Sequence, residues 1–152
     1  MPSSCYYRFL LWNLLINKMD NLTPSLLWEL FKHLRQWLTN LRRAGQARKQ
    51  ASITALRKVI VASRETQVYL RQQQTTEMID YATERQLTQI WTTLGFDLAD
   101  LDLAALAKRC QITGKLWANP TYYDASFVEK ADISLERMEK LAQHILYSIE
   151  KS

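Results

Sequence analysis

The chain has 152 residues, 47% of them hydrophobic, a formal net charge of +5, three glycines, three prolines and two cysteines. That length supports one buried core, and so few turn-forming residues exclude the many tight reversals of a β-sandwich or barrel, so an all-α fold is predicted. Cys5 and Cys110 lie far apart, with no C-x-x-C and no histidine at ligand spacing, which argues against a disulfide framework or zinc site and suits a reducing cytosol.

Residues 1–22 form an apolar N-terminal segment. Its centre, Tyr6 to Met19 (YYRFLLWNLLINKM), is apolar nearly all round a helix, yet it is interrupted at Asn13 and Asn17 and falls short of a bilayer span. It lacks the cleavage site of a secretory signal. A docking helix that offers Trp12 and Leu15 to a partner is expected, or else an extension upstream of a natural start at Met19.

Residues 23–152 are the expected bundle domain. Thr23-Pro24 reads as cap and first-turn proline of a helix over about 24–43, with Leu27, Leu30, Phe31, Leu34, Trp37, Leu38 and Leu41 at helical spacing up to Gly45. A long helix from Gln46 to about Gln73 keeps Ile53, Leu56, Val59, Ile60 and Leu70 on one face. Thr75 or Thr76 is expected to cap a third helix, antiparallel to the second, that carries Ile79, Leu87, Ile90 and Leu94 and stops at Gly95.

Asp100 or Asp102 would cap a shorter helix through Leu103, Leu106 and Cys110 that ends near Gly114. A long aromatic loop over about 111–131 follows, with Trp117 and Phe127 expected to plug the core and Tyr122 and Tyr123 to serve as surface contacts. Asp132 or Ser134 caps the last helix, whose face is Leu135, Met138, Leu141, Ala142, Ile145 and Ile149, with Ile133 and Met138 as a hydrophobic staple. The predicted fold is a single-domain antiparallel bundle of about five core helices plus the N-terminal apolar helix.

Charge is unevenly spread. Residues 1–76 hold 12 Lys/Arg against 3 Asp/Glu, and residues 77–152 hold 8 against 12. Clustered cations gain affinity for polyanions by releasing counterions, so Arg42, Arg43, Arg48 and Lys49 at the first helical turn-back are candidates for contact with nucleic acid or an acidic partner. Arg57, Arg64 and Arg71 form a stripe on the second helix. A fold-back would set it against Glu77, Asp80 and Glu84 of the third, Arg71 opposite the Glu77–Asp80 turn and Arg64 near Glu84.

No phosphate loop, nucleophile elbow or metalloprotease motif occurs, and no cofactor, metal or small-molecule substrate is implied. Arg137 and His144, within RMEKLAQH, resemble the R-x(4–6)-H motif of HEPN ribonucleases. The resemblance implies a dimer whose cleft cleaves RNA with that arginine and histidine. The composition favours a different reading. Five tryptophans and an apolar N-terminus exceed what one small core covers, so the first expectation is a non-catalytic, cytoplasmic interaction subunit that binds a protein or itself. A nucleic-acid-binding module is the alternative, and a membrane partner is not expected, since Arg8 and Lys18 are the only charges in the apolar segment.

Overall fold

The computed structural model describes residues 24–131 and 133–151, with residues 24–31 as backbone alone. Six helices follow in order: α1 (Pro24–Ala44), α2 (Gln46–Thr76), α3 (Tyr81–Asp100), α4 (Ala104–Ala118), α5 (Ala125–Ala131) and α6 (Leu135–Lys151). No strand occurs among the described residues. The expected N-terminal apolar helix lies outside them, as do Trp12 and Leu15.

The helix ends follow local chemistry. Gly45 separates α1 from α2 with φ of +93°, a left-handed-side conformation open to glycine because it has no Cβ. At the other end of α2, Glu77 adopts φ of +54° and its N–H donates to the Gln73 carbonyl at 2.7 Å. Helix α2 therefore runs through Thr75 and Thr76, whose hydroxyls donate to the Arg71 and Gln72 carbonyls, and neither caps the next helix. Asp80 takes that role: its carboxylate accepts from the Ala82 and Thr83 N–H groups at 3.0 and 3.4 Å.

Contacts at both ends of α2 fix its direction relative to α3. Arg48, near the start of α2, bonds Asp102 just past the end of α3, and Tyr69, near the end of α2, bonds Asp80 and Glu84 at the start of α3. The two helices are antiparallel. Helices α3 and α4 make the most extensive contact of the fold, and α2 packs on α6 more extensively than on α3. Neither Gly95 nor Gly114 ends a helix as expected. Each lies inside one, where the missing side chain lets α3 and α4 approach: a Cβ on Gly95 would meet Gln111, and one on Gly114 would meet Thr92.

One contiguous core joins Trp37 of α1 to Ile149 of α6. Its buried polar atoms are largely partnered, as a low-dielectric interior requires. Trp37 Nε1 donates to the Leu101 carbonyl at 2.8 Å; Trp91 Nε1 donates to Thr66 Oγ1 at 3.0 Å, and that hydroxyl donates onward to the Ala62 carbonyl at 2.7 Å. Trp37, Trp91 and Trp117 are all buried, so these three do not supply the surplus apolar surface expected from the tryptophan count. Ile133 and Met138 are both buried at the start of α6, as a staple requires.

The long aromatic loop is shorter than expected. Residues 111–118 continue α4, residues 125–131 form α5, and only 119–124 are non-helical. Asn119 Oδ1 holds that turn by accepting from the N–H and hydroxyl of Thr121, and Asp124 Oδ1 accepts from the Phe127 N–H at 2.7 Å. Trp117 is a core residue, with its ring 5.7 Å from that of Tyr69. Phe127 is not: it is 42% exposed and stacks on half-buried Tyr123.

Candidate functional site

Along α2 the buried residues Leu56, Val59, Ser63, Thr66 and Leu70 define the inward face. Arg57, Val61, Arg64, Val68 and Arg71 follow one another at steps of four and three residues, so they share a line on the opposite, outward face. Val61 and Val68 are each 53% exposed. Beside them a groove of about 440 Å³ runs between α2 and α3, lined by both valines, Leu87 and Ile90, with Arg64 and Glu65 also on its wall. No close-packing glycine draws α2 and α3 together as it does α3 and α4.

The three arginines of the stripe are held differently. Arg64 Nε and Nη2 both donate to Glu139 Oε1 of α6 at 2.9 Å. Arg57 and Arg71 are exposed and have no ion-pair partner among the described residues. The expected cross-turn pairing with α3 is not formed: Glu84 turns inward and accepts from the Tyr69 hydroxyl at 3.1 Å, and Asp80 is engaged as the α3 cap. Thr83 Oγ1, its N–H and the Ala82 N–H together hold the Asp80 carboxyl below its ordinary range.

The candidate cluster at the α1–α2 junction divides. Arg48 donates to Asp102 Oδ2 at 2.8 Å and to the Asp100 carbonyl at 3.3 Å, which ties it to the α3–α4 corner. Arg42 and Arg43 in the last turn of α1 are exposed, and Lys49 is half-buried. At the far side of the fold, Tyr122 is exposed with Lys115 Nζ 4.0 Å above its ring, and it meets half-buried Tyr123 edge-on at 4.8 Å. Arg137 and His144 both lie on α6, the first half-buried and the second exposed.

The arginine stripe is evident from spacing alone, and the valines interleaved with it, seven residues apart, carry a second signal of the same kind in the sequence. Cys110 is a buried free thiol; burial pushes its pKa up to about 12, against a smaller opposing effect of Arg109, so it is a poor nucleophile. No group of three or more His, Cys, Asp or Glu residues among the described residues could hold a metal ion. No described helix is long and apolar enough to cross a membrane.

The described residues thus form an all-helical bundle with an apolar groove between α2 and α3 that has Arg64 on its wall. Comparison with protein-family models, curated proteins and solved structures finds no match.

Proposed function

We propose that the chain is a non-catalytic helical interaction subunit that binds a protein partner, or a second copy of itself, on its α2–α3 face. The observation that carries this is the pair Val61 and Val68, half-exposed one heptad apart beside an apolar groove. Folding gains little from them there: valine lowers helix propensity by up to about 0.7 kcal/mol relative to alanine, and its apolar area stays wet. Exposed apolar side chains beside a groove and rimmed by charged residues are a feature of interaction surfaces. The raised Cys110 pKa supports a non-catalytic thiol, and a buried free cysteine suits the cytoplasm.

A photo-crosslinking residue placed at Val61 or Val68 in the cells that make the protein tests the reading. Adducts of one or a few defined masses are expected there and not at exposed Lys108 on α4. No adduct at either valine, or equal adducts at Lys108, contradicts it.

Arg42 and Arg43 support a second reading, a nucleic-acid-binding module, because both are exposed at the end of α1. It calls for binding to an oligonucleotide that falls steeply with added salt and weakens in Arg42→Gln/Arg43→Gln. No binding at low salt removes it.

A further inference from the structure

We propose that the α2–α3 face takes an acidic amphipathic helix, which lays an apolar stripe on Val61, Val68 and Ile90 and sets carboxylates against Arg57 and Arg71. The inference rests on the interaction-subunit reading and adds the chemistry of the occupant.

Charge and apolar character alternate along the outward line of α2, Arg57, Val61, Arg64, Val68, Arg71. Seven residues of helix rise about 10 Å, so the two valines match side chains at i and i+7 of a second helix lying nearly parallel or antiparallel to α2. Positions one turn beyond each end of that apolar pair then fall opposite Arg57 and Arg71. The cations there are available: both are exposed with no ion-pair partner among the described residues, whereas Arg64 between them is already held by Glu139. Glu65 is the only acid in α2, so little within the helix offsets the Arg57 and Arg71 guanidinium groups.

The apolar part decides between partner classes. A sugar-phosphate backbone satisfies arginine but covers Val61, Val68 and Ile90 with charged, hydrated groups, which leaves the groove's apolar surface without a counterpart. A helix with apolar residues at i, i+4 and i+7 and glutamates one turn beyond each end fills both requirements at once. Apolar burial would supply most of the affinity, and the rim charges would set partner choice, association rate and salt dependence.

The test uses the full chain and two synthetic helical peptides with the same apolar positions, one flanked by glutamates and the other by lysines, followed by fluorescence anisotropy. The glutamate peptide is expected to bind at least about tenfold more tightly than its lysine isomer. Arg57→Glu/Arg71→Glu should reverse that preference, and Val61→Gln/Val68→Gln should weaken the glutamate peptide by at least about tenfold, with unfolding midpoints checking that both variants fold.

Failure to bind either peptide, or equal binding of both, overturns the proposal. So does an RNA or DNA oligonucleotide, or a phosphatidylserine vesicle, that binds through Arg57 and Arg71 more tightly than the glutamate peptide and is indifferent to Val61→Gln/Val68→Gln. Cellular crosslinks at Val61 without discrimination between the peptides overturn the acidic partner alone; loss of the crosslinks as well removes the interaction reading beneath it.

Discussion

Gly114 on α4 faces the backbone of Thr92 on α3 so closely that a Cβ on the glycine would stand 2.9 Å from the Thr92 nitrogen and 3.2 Å from its Cα. At Gly95, on the opposite helix of the same contact, the nearest atom to an added Cβ is Gln111 Cγ at 2.4 Å, and the backbone stands farther off, with Gln111 N at 3.2 Å and the Ala107 carbonyl oxygen at 3.4 Å. Backbone cannot move aside without shifting a helix, whereas a glutamine side chain can change rotamer.

This difference sets the outcome of two alanine substitutions. Alanine in a helix interior gains about 0.5–1 kcal/mol over glycine, and overpacking costs about 1–3 kcal/mol. Gly114→Ala is expected to destabilise the fold by about 1–2 kcal/mol, and Gly95→Ala to stay within about 1 kcal/mol of the parent. Urea unfolding of both proteins gives the comparison.

The buried chain from Trp91 Nε1 through Thr66 Oγ1 to the Ala62 carbonyl makes Thr66 hard to replace. Thr66→Val keeps the volume but leaves the indole N–H without its acceptor, at an expected cost of about 1–3 kcal/mol. In a double-mutant cycle with Trp91→Phe, the two effects should total less than their sum, because the double variant orphans no indole N–H.

Cys110 should be chemically silent in the native protein. In a Cys5→Ser background, iodoacetamide is expected to leave the folded chain unmodified and to alkylate it once urea unfolds it. The folded thiol titrates at about 12 against an ordinary 9.0, so the unfolded chain releases this proton first as pH rises. Stability from this group is therefore fully present below pH 9.0 and lost between there and about 12, and Cys110→Ala should make the alkaline decline shallower.

Asp80 gives the opposite pH dependence. Hydrogen bonds from Thr83 and Ala82 depress its pKa below 3.8, so its charged-state contribution is present above that value and lost as pH falls through the folded pKa. Asp80→Asn keeps an acceptor for the α3 cap, lowers the melting temperature at neutral pH modestly, and flattens the acid-side decline. Asp80→Ala, which has no acceptor, should melt lowest of the three, and thermal melts monitored by circular dichroism across the acid range measure this.

Much of the fold was legible because local chemistry determines it. Gly45 marks a real boundary, since it holds φ of +93° between α1 and α2, and the apolar repeats of α2 and α6 record which faces meet the core. Gly95 and Gly114 carry the same letter but answer to a neighbouring helix, and nothing adjacent in sequence encodes that. Thr75 and Thr76 do not cap α3, although several residues near the turn satisfy the same local rule, because α2 runs through both and leaves Asp80 at the start of α3. Phe127 lies outside the core because Asp124 starts a short helix there, and seven residues are too few for a periodic pattern to reveal which way they face. For the candidate site, the arginine stripe was visible in the spacing. Its expected partners were wrong because Glu84 is drawn inward by Tyr69 and Arg64 is reached by Glu139, far along the chain.

The α2–α3 face is tested most directly by the mass of the native assembly in gently lysed cells. The chain is 17.8 kDa, and it should elute within a larger species, whereas Val61→Gln/Val68→Gln should elute as a monomer with an unchanged unfolding midpoint. Identical elution of the two proteins, whether both assembled or both monomeric, contradicts a docking role for this face.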